Sequence, residues 1–113
     1  MKYGTILLLV ATAFSVSAAQ AASFSCEKPQ HADEKTICAH RDLNDKDVEM
    51  ATQYRFLKGL FAMGGRGAFQ DQQQAWLKQR RACATDTRCL NQRYDERLKQ
   101  MADVYGRINR PLF

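Results

Sequence analysis

The chain has 113 residues, 45% of them hydrophobic, with 17 Lys and Arg against 12 Asp and Glu and a formal charge of +5. That length holds one domain and no more, and a chain of this size buries only about 60–65% of its unfolded surface, so covalent staples matter. Repeats, low-complexity stretches and interdomain linkers are absent, and charge is segregated: residues 22–50 carry seven acidic and four basic side chains, residues 51–113 five and twelve. Such asymmetry steers anionic partners to one end and cationic partners to the other.

In chain order, residues 1–21 read as an export signal. Lys2 forms a thin positive start, Ile6 to Val10 with Ala11 and Ala13 the apolar stretch, and Ala19-Gln20-Ala21 a small-x-small cleavage site. The run is far shorter than the ~20 residues that span a bilayer, and Ser23-Phe24-Ser25 before Cys26 lacks the aliphatic residue of a lipidation site. The expected mature domain is 22–113, periplasmic or secreted, with no stable membrane insertion after cleavage.

All four cysteines, Cys26, Cys38, Cys83 and Cys89, follow that segment and read as disulfides of an oxidising compartment. Three pairings are open. The local one, Cys26 with Cys38 and Cys83 with Cys89, is favoured, each bridge contributing about 2–3 kcal/mol in the chain-entropy model. A long-range pair such as Cys38 with Cys83 would contribute somewhat more, so energy does not exclude it.

Strand alternation is missing and helical periodicity dominates. A first short helix is expected over His31 to His40. A second starts near Leu43 to Lys46, capped by Asn44 or Asp45, with a stripe of Val48, Ala51, Tyr54 (or Arg55), Leu57, Leu60 and Phe61. Gly64-Gly65-Arg66-Gly67 should end it as a loop, with Arg66 at the tip. A third helix follows from about Ala68 to Cys83, with Phe69, Gln73, Trp76, Arg80 and Cys83 on one face. After a tight turn at Ala84 to Asp86, a fourth helix presents Leu90, Tyr94, Leu98, Met101, Tyr105 and Ile108, until Pro111 stops it. The fold expected is all-α: a small disulfide-stapled bundle of about four helices, its last two an antiparallel hairpin.

Chemistry-bearing clusters favour bland roles. Arg80 can lie along the Trp76 indole while its guanidinium pairs with a carboxylate of a neighbouring helix. The order Cys26, His31, Cys38, His40 fits no usual zinc spacing, so no metal or cofactor is expected. Asp33, Glu34 and Glu49 lack the cleft that paired catalytic carboxylates need, and the acids near helix starts suit helix N-termini. The glycine run follows a helix and lacks the P-loop lysine. Lys78, Arg80, Arg81, Arg88, Arg93 and Arg97 could attract nucleic acid, but export argues against it. A non-enzymatic binding protein, monomeric by preference, is the expectation.

The run Ser23 to Lys28, then Glu34-Lys35-x-Ile37-Cys38, Leu43 through Tyr54, Gln73-x-x-Trp76-Leu77-x-x-Arg80-x-x-Cys83 and Cys89-Leu90-x-x-x-Tyr94-x-x-Arg97 resembles the LprI-type lysozyme inhibitor family. The resemblance covers essentially the whole expected mature chain. It implies a small exported helical domain that blocks a lysozyme or related muramidase, with Gln73, Trp76, Leu77, Arg80, Tyr94 and Arg97 as shared structural residues. Partner contacts are expected either at Arg66 or at an acidic patch of Asp42, Asp45, Asp47 and Glu49. The competing expectation is an interaction module for another envelope protein, a secreted effector or an anionic cell-wall polymer.

Overall fold

The computed structural model describes Gly4 and residues 23–108; the rest of the expected export segment and Pro111 lie outside the described residues. Four helices follow in order: α1 Ala32–Ala39, α2 Arg41–Leu60, α3 Met63–Ala82 and α4 Thr87–Ile108. There is no strand among the described residues. The all-α bundle is as expected, and both local disulfides are present, Cys26–Cys38 and Cys83–Cys89.

α2 and α4 make the most extensive interhelical contact and run parallel. Lys46 near the start of α2 reaches Asn91 and Asp95 near the start of α4, and Leu57 borders Met101 further along. α3 runs antiparallel to both, so Phe69 stacks beside Tyr54 while Arg80 reaches Asp47. α1 lies across the end where α2 and α4 begin and α3 finishes. Ile37, Leu43, Met50, Leu57, Leu90, Tyr94 and Met101 form the sealed core.

Local chemistry explains the helix ends. The Glu34 carboxylate accepts the free amides of Gln30 and His31 at the start of α1, at 3.3 and 3.2 Å. His40, extended in backbone, is the single residue separating α1 from α2. Asp86 Oδ1 accepts the Cys89 amide at 3.1 Å and caps α4. Between α3 and α4, Ala84 takes φ 50°, a left-handed conformation usually left to glycine, where the chain turns beneath the Cys83–Cys89 bridge.

Four expectations about the helices need correction. α2 starts at Arg41, before the expected Asn44 or Asp45 cap. Its buried face is Leu43, Asp47, Met50, Ala51 and Leu57, with Val48 and Leu60 exposed, because Asp47 occupies a core position that an apolar count skips. The run Gly64-Gly65-Arg66-Gly67 is not a loop: it belongs to α3, and the chain turns at Phe61-Ala62. A Cβ on Gly65 would sit 3.2 Å from the Phe61 ring, so glycine lets that ring close over the helix start and reach Phe69 at 5.1 Å. Packing overrides the breaker propensity. The α4 seam also ends earlier than expected, with Tyr105 and Ile108 exposed.

Candidate functional site

The tryptophan-arginine segment of α3 builds a buried ionic knot. Arg80 is 3% exposed, and Asp33 and Asp47 are fully buried. Arg80 Nε donates to Asp33 Oδ2 at 2.8 Å and Nη1 to Asp47 Oδ1 at 3.3 Å. Tyr94 donates its hydroxyl to the same Asp47 oxygen at 2.6 Å, and Ser23 Oγ donates to the Asp47 carboxylate at 2.7 Å. The guanidinium lies between two aromatic faces, 5.1 Å from the Phe24 centroid and 5.9 Å from that of Trp76. One cation thus ties together α1, α2, α3 and the segment before α1, while Tyr94 adds α4.

Arg80 therefore pairs with carboxylates of neighbouring helices beside the indole, the arrangement its spacing from Trp76 suggests. Burial acts to lower the Arg80 pKa, but Tyr94, Asp33 and Asp47 outweigh it, and the net shift is upward. Burial, reinforced by Asp47, drives the Tyr94 phenol far above its ordinary range, so it remains a donor.

A second polar chain runs below the knot. Gln73 accepts from Arg97 Nε at 3.0 Å and directs its amide at Met50 Sδ, while Arg97 Nη1 reaches Gln100 at 3.0 Å. The Arg97 guanidinium also lies 5.6 Å from the Phe69 centroid. Burial lowers its pKa, partly countered by Tyr54. Trp76 donates to the Arg93 carbonyl at 3.0 Å and meets the Tyr94 ring edge-on. Leu77 is half-buried against the core. Gln73, Trp76, Arg80, Tyr94 and Arg97 therefore face one another inside the bundle and present little to a partner.

The contact candidates divide. Asp42, Asp45 and Glu49 are exposed on α2. Their spacing of three and four places them on one face. Asp47 must leave that patch, since its carboxylate is sealed in the knot. Arg66 is exposed but is no free tip: its Nε donates to the Lys58 carbonyl at 3.2 Å and its Nη2 to that of Phe61 at 3.3 Å, closing the end of α2. Of the acids Asp33, Glu34 and Glu49, two are committed, Asp33 to Arg80 and Glu34 to the start of α1. Cys26 and Cys38 bond each other. The α3–α4 basic set shrinks too: Arg80 and Arg97 are buried, and Arg93 pairs with Glu96.

Periodicity also hides a surface feature. Phe56 is 58% exposed and lies 6.2 Å from Tyr105 across the α2–α4 seam, with Leu60 and Ile108 exposed nearby in sequence. Counting from the acids, 42, 45, 49, 53, 56 and 60 follow one helical face, so α2 turns from acidic to apolar along its solvent side. The signal was an aromatic residue off the core stripe.

A family model described as lysozyme inhibitor LprI matches residues 26–101. That span holds both disulfides and, apart from Ser23 and Phe24, every residue of the knot. No curated protein and no solved structure matches the chain.

Proposed function

The chain belongs to the lysozyme inhibitor LprI family, and from that premise we propose that it is an exported, non-catalytic protein that binds and blocks a lysozyme or related muramidase. The observation that carries this reading is the match over 26–101. Two disulfides in a small domain agree with a periplasmic or secreted location, where such bonds persist.

Electrostatics favours the acidic face over Arg66 as the contact. Many animal lysozymes are strongly basic, and the net positive charge of this chain opposes them. At physiological ionic strength, though, charges are screened beyond about 8 Å, so the local surface decides. Asp42, Asp45 and Glu49 have no ion-pair partner among the described residues, whereas Arg66 is occupied with carbonyls of its own chain.

A second reading, binding of an anionic cell-wall polymer, draws support from Lys78, Arg81 and Arg88, exposed and unpaired among the described residues. A cell-wall lysis assay separates the two. Titrating oxidised protein against several lysozyme classes should give saturable, stoichiometric inhibition of one class. Inhibition should fall when Asp42, Asp45 and Glu49 are neutralised and persist in Arg66→Ala. Absence of inhibition at high molar excess, together with salt-sensitive polymer binding lost on neutralising Lys78, Arg81 and Arg88, would replace the first reading by the second.

A further inference from the structure

The C-terminal halves of α2 and α4 border an apolar groove of about 300 Å³ lined by Gln53, Phe56, Leu57, Met101, Ala102 and Tyr105. Its rim is unusual for a small monomer. Phe56 and Tyr105 stand exposed across it, and Leu60 and Ile108 are exposed close to them along α2 and α4. Exposed apolar residues grouped in this way mark interaction sites more often than scattered ones do. Aromatic side chains are also enriched among the residues that dominate binding energy.

What enters the groove can be argued from its surroundings. Gln53 lines it and donates to Glu49 Oε1 at 3.3 Å, joining the apolar rim directly to the acidic face. From Glu49 to Phe56 is seven residues, about 10 Å along a helix, and Asp42 lies about 10 Å further back. None of Asp42, Asp45 and Glu49 is neutralised by an ion pair among the described residues. Lys78, Arg81 and Arg88 belong to α3 and the start of α4, and the exposed Arg55 and Arg107, though near Phe56 and Tyr105 in sequence, line other clefts, so the groove lining itself carries no charge. An apolar slot continued by unpaired carboxylates complements a surface in which an apolar side chain is flanked by basic ones.

We infer that this groove is the anchoring site for a cationic protein: an apolar side chain of the partner packs on the paired Phe56 and Tyr105 rings and into the groove beside them, while Asp42, Asp45 and Glu49 receive its Lys and Arg. The inference rests on the inhibitor reading for its partner class and adds the place of contact. The two contributions are separable. The carboxylates act over distance and are weakened by salt. The groove acts by removing apolar surface from water, which screening leaves largely intact.

The test is calorimetric binding to a purified, strongly basic animal lysozyme across a range of salt, with lysis inhibition measured in parallel. Phe56→Ala should weaken binding about tenfold or more at every salt concentration. Asp42→Asn, Asp45→Asn and Glu49→Gln combined should weaken it mainly at low salt and flatten the salt dependence. All four positions are exposed, and helical circular dichroism with an intact mass for two disulfides confirms folding.

Wild-type binding with inhibition, unchanged in these variants, would overturn the inference and leave the inhibitor reading intact. Binding without inhibition, lost in the variants, would uphold the groove and remove the inhibitor reading. No wild-type binding at low salt would overturn both. A concentration-dependent dimer dissolved by Phe56→Asp, with lysozyme binding unaltered, would assign the groove to a second copy of the chain and overturn the inference.

Discussion

The two ends of this bundle are built on opposite principles. At one end α1, the start of α2, the end of α3 and the start of α4 converge on Arg80, with both disulfides beside it. At the other, Phe56 and Tyr105 meet across the α2–α4 seam, and apolar side chains face solvent. The first end ties α1 and the starts of α2 and α4 to the end of α3. The second presents surface that the fold does not need for its own core. If the groove is the contact site proposed above, stability and recognition lie in different places, and a change at one should leave the other largely untouched.

The largest expected effect is at the knot. Arg80→Met strands two buried carboxylates without their cation, and unfolding free energy should fall by about 3–5 kcal/mol, measured by urea denaturation. A loss under 1 kcal/mol would mean that water reaches the knot, and the contrast between the ends would weaken.

Next comes the Cys83–Cys89 bridge, which holds the α3–α4 turn. Replacing both cysteines by serine should cost about 2–3 kcal/mol, read from the same denaturation curves.

Tyr94→Phe removes a hydrogen bond to a charged acceptor and should cost about 1.5–3 kcal/mol. It also has a pH signature. Folding raises the Tyr94 pKa above its ordinary value near 10, so the folded state holds that proton more tightly than the unfolded chain. Stability is then fully present below about pH 10 and declines as pH rises beyond it. The alkaline decline should be shallower in Tyr94→Phe. It should not vanish, because burial also raises the Tyr54 pKa.

The smallest effect on stability belongs to the other end. Phe56→Ala should change unfolding free energy by no more than about 0.5 kcal/mol, although the same change should weaken partner binding. A stability loss comparable to that of Tyr94→Phe would show that Phe56 serves the core and would erase the distinction.

What the sequence made legible follows the same division. The α3–α4 hairpin could be read because Gln73, Trp76, Arg80 and Cys83 repeat at helical spacing, and because a short turn with capping residues lies between the last two cysteines. The placement of α1 between His31 and His40 was legible for similar local reasons. The knot was legible only by half: a carboxylate partner for Arg80 could be expected, but not that it would be Asp33 and Asp47 together. Aspartate counts as a surface residue in any hydropathy pattern, and only the three-dimensional arrangement of Arg80, Tyr94 and Ser23 makes its burial tolerable.

At the far end the hydropathy pattern departs from burial in the opposite direction. Leu60, Tyr105 and Ile108 continue apolar stripes and read as core, yet they stay exposed in the bundle. The glycine run misled because glycine's local preference for turns is weak beside the packing of Phe61 over Gly65 and the closure of α2 by Arg66.

The most direct test of this division is amide hydrogen exchange on the oxidised protein, free and with a bound basic lysozyme. The account predicts the slowest exchange around Asp47, Arg80 and Tyr94 in the free protein, with lysozyme adding protection selectively over residues 49–60 and 98–108. New protection confined to Lys78 through Arg88, or to the amides around the knot, would contradict it.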